Sequence, residues 1–320
     1  MKPRLVFVHG VGDPRDAKAE EDEWLRALAN GARRAGHSRR VSALVSGWDS
    51  ATSFAYYGDL FKKPGAQGGA ADSLGADDAA VVGELLLEAI SDHLAAPGLA
   101  GQEKRVLLHA QAQLAPTGQS QGLGNIGRRT LNALTTLMSA PGLRWFGGIA
   151  SSQLTLTILG QVARYLNRGE SDASGISLDR RIRERVAGYL GQDGPTVVVA
   201  HSLGTVVALE ALHEHKGDIP LFVTLGSPLG MRTAVLPRTR PQPMGTPETV
   251  GRWLNFWDRD DVIAARPMLE HFVRPNAAGV GPVSDRVDSD GLWVHSAAKY
   301  LAHPAIAGPV VEALDTLAGQ

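Results

Sequence analysis

Apolar positions along the chain follow two rhythms. Three short runs, Leu5–Val8, Thr196–Ala200 and Leu221–Leu225, are apolar almost without interruption and are bounded by turn residues, which is the pattern of strands buried on both faces of a parallel sheet. Arg40–Val45 and Arg252–Trp257 are weaker candidates of the same kind. Longer stretches, Lys18–Ala35, Leu178–Leu190 and Gly204–His215, repeat apolar residues at three- and four-residue spacing and predict amphipathic helices. Strand alternating with helix predicts an α/β fold with a mainly parallel sheet flanked by helices.

The alternation breaks between residues 50 and 174, a stretch too long for a loop. Gly65–Gly75 is rich in Gly and Ala, whereas Val81–Leu94, Lys104–Leu114 and Arg128–Ser139 have helical spacing, and helical patterns resume from Leu143 to Leu166. Pro97, Pro116 and Pro141 punctuate the block. The expectation is one α/β domain, residues 1–49 and 175–320, interrupted by an inserted helical cap at 50–174 whose last helix, Gln153–Asn167, leads back to the sheet.

Composition narrows the chemistry. The 320 residues carry 32 Lys and Arg against 33 Asp and Glu, a formal net charge of −1, which offers no long-range field for a polyanion and argues against nucleic acid as a partner. There is no cysteine, which excludes disulfides, zinc–thiolate sites, iron–sulfur clusters and a thiol nucleophile. Any nucleophile must be an oxygen or a lysine nitrogen. The apolar run Leu5–Val8 ends in His9-Gly10 and is too short for the core of a secretory leader. No window has the uninterrupted apolar length of a membrane span, because the nearest, Leu143 to Val162, carries Ser151, Ser152, Gln153, Thr155, Thr157 and Gln161. A soluble cytoplasmic protein is expected.

The sharpest chemical signal is Val197-Val198-Val199-Ala200-His201-Ser202-Leu203-Gly204-Thr205-Val206-Val207. An apolar strand runs into small-x-Ser-x-Gly and directly into a helix, the context of a nucleophile elbow. Ser202 must sit on a sharp, strained turn, so the residues two before and two after it must be small. Ala200 stands where Gly is usual. Without its neighbours, Ser202 would read as a helix cap. The N–H of Leu203 would point at a developing oxyanion, and a second donor is expected after an earlier strand, where His9-Gly10-Val11-Gly12 places the N–H of Val11.

A serine nucleophile needs a base and an orienting acid, in the chain order Ser, acid, His on this kind of fold. His213 and His215 lie two apart on the helix leaving the elbow and face different sides. His271 has no evident relation to a strand end. His295, on a loop opening the helix Ala297–Leu301, is the expected base, with His303 in reserve. The acid is expected in Asp258-Arg259-Asp260-Asp261-Val262-Ile263 after the last strand candidate. Asp261 is preferred because packing of Val262 and Ile263 would fix it, while Asp258 and Asp260 stay open as alternatives.

These residues, together with Thr224-Leu225-Gly226-Ser227-Pro228-Leu229 and His295-Ser296-Ala297-Ala298-Lys299-Tyr300, resemble the lipase- and esterase-like branch of the α/β-hydrolase superfamily over residues 1–48 and 176–320. The resemblance implies a Ser202–His295–Asp261 triad that hydrolyses a small-molecule ester; with Val11 and Leu203 as the oxyanion hole, no cofactor and no metal are expected, and a cap rich in Leu and Ala suits an apolar acyl group. An acyltransferase with the same triad, or a catalytically silent scaffold that binds a partner, would share these features.

Two further patterns stand outside this reading. Gly122-Leu123-Gly124-Asn125-Ile126-Gly127 spells G-x-G-x-x-G, yet polar residues precede it and no acid follows before Gly148, so a dinucleotide site is not expected; a P-loop motif is also missing. Trp145-Phe146, followed by Ile149, Leu154, Leu156, Ile158 and Leu159, would pack onto the sheet domain, line an acyl pocket or touch lipid transiently.

Overall fold

A computed structural model of the protein describes residues 3–11, 16–45, 51–62, 75–95, 98–99, 101–115, 124–138, 152–191, 194–289 and 294–319. Among these residues six strands, β1 (Arg4–Val8), β2 (Ala51–Ala55), β3 (Thr196–His201), β4 (Leu221–Leu225), β5 (Trp253–Asp258) and β6 (Pro282–Val287), form one sheet in the order β2-β1-β3-β4-β5-β6. Every pairing is parallel.

Alternation along the central strands divides the core into two layers, because successive side chains of a strand point to opposite faces. Leu5, Phe7, Val197, Val199, Leu221 and Val223 pack on one face with α1 (Ala17–Arg34), α2 (Ser38–Val45), α9 (Ala297–Leu301) and α10 (Pro304–Ala318). Val6, Val8, Val198, Ala200 and Phe222 pack on the other with α7 (Leu178–Leu190) and α8 (Leu203–Glu214). Both faces are covered, which explains why β1, β3 and β4 read as apolar runs rather than alternating ones.

The expected strand at Arg40–Val45 is a helix. These residues lie in α2, where Val41 is buried in the α1 and α10 layer while Arg40 pairs with Asp315 at 2.9 Å and His37 with Glu312 at 3.2 Å. Docking against two helices overrides the β-propensity of the valines. The sheet position beside β1 belongs to β2, with Arg4 opposite Ala51 and Val8 opposite Ala55. Sheet therefore continues past residue 49 into the stretch assigned to the inserted block, and among the described residues the first α-helix of that block is Ala76–Ala95.

Among the described residues, four α-helices lie between β2 and α7: α3 (Ala76–Ala95), α4 (Gly101–Leu114), α5 (Gly124–Met138) and α6 (Ser152–Asn167). They pack on one another and join the core layer that contains α7 and α8, with Leu107, Leu134, Leu156 and Tyr165 buried among them. Gly124 opens α5, and the described residues before it belong to α4. Residues 63–74, which include most of the Gly/Ala-rich segment, residues 116–123 and 139–151 with Trp145, Phe146 and Ile149, and Gly12 lie outside the described residues.

Two charged links tie the block to the sheet. Glu88 of α3 is 7% exposed, and its carboxylate accepts from the N–H of Arg232, from Thr233 N–H at 2.9 Å and from Thr233 Oγ1 at 2.8 Å, with Arg266 Nε at 3.5 Å. At the other end Glu210 of α8 accepts from Tyr165 at 2.7 Å, Arg168 at 2.5 Å and the backbone N–H of Arg240 at 2.8 Å. A buried carboxylate is tolerated only when its lone pairs are used in this way.

Candidate active site

The carboxyl ends of the strands carry the residues singled out in the sequence. The chain passes from β1 to its neighbour β2 on one side and then to β3 on the other, so the order reverses at β1. Such a reversal opens a crevice between the loops that leave the two central strands. His9-Gly10-Val11 leaves β1 there and Ser202 leaves β3.

Ser202 has φ 56° and ψ −132°, a conformation that costs a non-glycine residue roughly 1–3 kcal/mol. The surroundings hold it: its N–H donates to the Leu225 carbonyl at 3.1 Å, and its own carbonyl accepts from Thr205 Oγ1 at 2.7 Å and from Thr205 N–H at 3.0 Å. Glycines make the turn possible. A methyl on Gly10 would come 2.8 Å from Ser202 Cβ, and one on Gly204 would run into the His9 carbonyl and lie 2.6 Å from that of Val8. Ala200 is fully buried in the sheet core, so the methyl in place of the usual glycine is accommodated.

The loop after β1 is thereby interlocked with the first turn of α8. Val11 follows Gly10 and Leu203 follows Ser202, so both residues adjoin the close contact between Gly10 and Ser202. The first N–H groups of a helix lack intrahelical acceptors and carry the positive end of its dipole. His9 is fixed from the far side, where its Nε2 accepts from Tyr57 N–H at 3.0 Å and its carbonyl accepts from the Tyr57 hydroxyl at 2.6 Å. A ring nitrogen that accepts must carry no proton, so the His9 proton is on Nδ1. Burial among Phe54, Tyr56 and Tyr57 lowers the pKa of His9 to about 3.

His295 bridges Ser202 and Asp261. Its Nε2 lies 2.9 Å from Ser202 Oγ, and its Nδ1 lies 2.8 Å from Asp261 Oδ2. Asp261 is 4% exposed, and its Oδ1 accepts from Ile263 N–H at 3.0 Å. Burial alone would raise its pKa, but the charge of His295 and the hydrogen bonds from His295 and Tyr300 outweigh burial and hold the carboxyl below its usual range. Gly226, at φ 53°, gives this pair room, since a methyl there would come 2.6 Å from Asp261 Oδ2 and 3.1 Å from His295 Nδ1.

The remaining candidates lie apart from this line. Asp258 Oδ2 accepts from Ser289 N–H and Oγ, each at 2.5 Å, and its Oδ1 accepts from Asp260 N–H at 2.9 Å; the Asp260 residue is exposed. His213 Nε2 lies 3.0 Å from the Gly245 carbonyl, His215 ends α8, His271 is exposed in the turn Leu269–His271, and His303 caps α10 by accepting from Ala305 N–H at 3.3 Å. Among the described residues no group of three or more His, Asp or Glu side chains is placed to hold a metal ion, and no helix is long and apolar enough to cross a membrane.

Three residues near the site carry no role in the sequence reading. His201 lies with its ring centroid 4.5 Å from that of His295 and has no partner for Nε2 among the described residues; burial, reinforced by His295, lowers its pKa well below the usual value. Tyr57 lies two residues past β2, a strand the sequence hides. Tyr300 contacts Asp261 from five residues beyond His295, and only its place in the quoted C-terminal segment hinted at it. Comparison with family models, with curated proteins and with solved structures finds no match to this chain.

Proposed function

We propose that this protein is a serine hydrolase of the α/β-hydrolase type that cleaves a carboxylic ester with an apolar acyl group. The observation that carries the reading is the continuous line Ser202 Oγ, His295 Nε2, His295 Nδ1, Asp261 Oδ2, with spacings of 2.9 and 2.8 Å, starting from a serine at positive φ. The chain order Ser, Asp, His and the place of Ser202 at the sheet's switch point support the same reading.

In the proposed reaction Ser202 Oγ attacks the ester carbonyl while His295 Nε2 takes the hydroxyl proton. The carbonyl oxygen, now negative, is held by the N–H groups of Leu203 and Val11. Collapse of the tetrahedral intermediate breaks the bond to the alcohol oxygen, which leaves with the proton from His295, and Ser202 remains acylated. Water then gives its proton to His295 and attacks the acyl carbon, releasing the acid and restoring Ser202. Asp261 keeps the imidazole in the tautomer with a proton on Nδ1 and stabilises its charged form. Helices α3–α6 serve as a cap over this end of the sheet, a role supported by Glu88 of α3, which holds the segment that follows Gly226.

The test is labelling with a fluorophosphonate probe together with turnover of p-nitrophenyl esters of graded chain length. The wild type is expected to be labelled and to hydrolyse, and Ser202→Ala to lose labelling and about 10⁴-fold or more in rate. A folded wild type that resists the probe and turns over no ester overturns the reading in favour of a silent scaffold. Ester products formed from added alcohols would reassign it as an acyltransferase.

A further inference from the structure

Tyr300 occupies a position that the proposed reaction does not use. It is fully buried on α9, and its single hydroxyl proton is donated to Asp261 Oδ2 at 2.7 Å, the same oxygen that faces His295 Nδ1 at 2.8 Å. The hydroxyl oxygen accepts in turn from Asp258 N–H at 2.9 Å. One phenol therefore links the end of β5 to the carboxylate three residues further on. Burial first, and then the charge of Asp261, push the phenol well above its usual range, so it remains a donor wherever esters are handled.

The geometry has a chemical consequence. Two donors that share one carboxylate oxygen compete for its charge, so the phenol weakens the pull of Asp261 on the Nδ1 proton. The ionisable groups facing the phenol are Asp258 at the end of β5, Asp261 from the turn after it, and His201 from β3 with its ring centroid 6.2 Å away, with His295 across the shared oxygen. On the other sides α9 packs against α1 and α10, where Gly31 and Ala307 stand against the backbone around Leu301, and Arg34 donates to the Ala302 carbonyl.

We infer that Tyr300 is a positioning residue for the reaction: by sharing Asp261 Oδ2 with His295 it fixes the carboxylate that orients the imidazole and weakens the pull of that carboxylate on the Nδ1 proton. The inference rests on the hydrolase reading for its kinetic consequence, but the hydrogen-bond competition itself does not.

The test uses the full chain as Tyr300→Phe and, in case removal of the hydroxyl unfolds the protein, as Tyr300→3-fluorotyrosine, which keeps the shape and strengthens the donor. In Tyr300→Phe the acidic limb of the kcat/KM–pH profile is expected to move up by about one pH unit, a tenfold change in proton affinity, with KM altered less than about twofold. In the fluorotyrosine variant the limb moves the other way. The proton shared by His295 and Asp261, identified by its loss in Asp261→Asn, should shift downfield in the NMR spectrum of Tyr300→Phe and upfield in the fluorotyrosine variant. An unmoved limb and an unmoved proton resonance in a folded variant overturn the inference. If the resonances move while the wild type hydrolyses nothing, the hydrolase reading fails and the role of Tyr300 toward Asp261 stands.

Discussion

Tyr57 holds His9 at two points, donating its N–H to the ring nitrogen at 3.0 Å and its hydroxyl to the carbonyl at 2.6 Å. Because the Gly10 backbone lies against Ser202, the two contacts fix the loop that carries Val11 at the height of the serine. Tyr57→Phe removes one of them. We expect it to lower kcat about tenfold with KM little changed, and to cost about 1 kcal/mol in urea unfolding. Equal kcat in the variant and the wild type would remove the loop from the reaction.

Gly226→Ala tests how tightly Asp261 and His295 are framed. At φ 53° the new side chain is strained, and its methyl would stand 2.6 Å from Asp261 Oδ2. Displacing reacting groups by about 1 Å can cost about 10²-fold in rate, so fluorophosphonate labelling should slow by about that factor. Far-ultraviolet circular dichroism should stay unchanged. Labelling at the wild-type rate would mean that the pair does not depend on this glycine.

Glu88 is the buried carboxylate that ties α3 to the segment after Gly226. Glu88→Ala leaves three donors and Arg266 without it, and we expect a loss of about 2–4 kcal/mol in urea unfolding. Hydrolysis should fall with it if α3 forms part of the substrate site. A variant as stable as the wild type would show that the block is held without Glu88, by its apolar contacts and the Glu210 cluster.

Acid should weaken the fold from just below neutral pH. His9 takes up a proton only near pH 3 when folded, and His201 is also held well below its usual value, whereas both bind protons around pH 6.5 in the unfolded chain. Between those limits the unfolded state holds more protons, so stability is full above about pH 6.5 and declines as pH falls toward 3. Asp261, with its depressed pKa, adds a loss below about pH 4. Urea unfolding at pH 8, 6 and 4 measures this slope, and His9→Gln should flatten it between pH 6 and 4. A pH-independent unfolding free energy over that range would contradict the buried, neutral state of both histidines.

The centre of the molecule was legible from local patterns. Strands covered on both faces must be apolar along their length, so β1, β3, β4 and β5 were legible, as was the turn between strand and helix at Ser202. The helices α1, α7 and α8 were legible from one-sided apolar spacing. The edges were not. In β2 only Phe54 and Ala55 are buried, and β6 starts with a proline and exposes Val283, Asp285 and Arg286, so neither carries an apolar run. The valines of Arg40–Val45 had strand character and were turned into helix by α1 and α10.

Tertiary structure alone decided which of three carboxylates meets His295. Asp258, Asp260 and Asp261 lie within four residues of one another, and local sequence favours Asp261 through the apolar pair after it without ruling out the other two. The path of the chain does: Asp258 is drawn to Ser289, Asp260 is left facing solvent, and Asp261 is held by Ile263 N–H and the Tyr300 hydroxyl where the imidazole arrives. Short-range patterns record what a residue's own element requires, whereas a hydrogen bond between residues 34 or 93 positions apart, as His295 makes to Asp261 and Ser202, exists only once the sheet has brought the loops together.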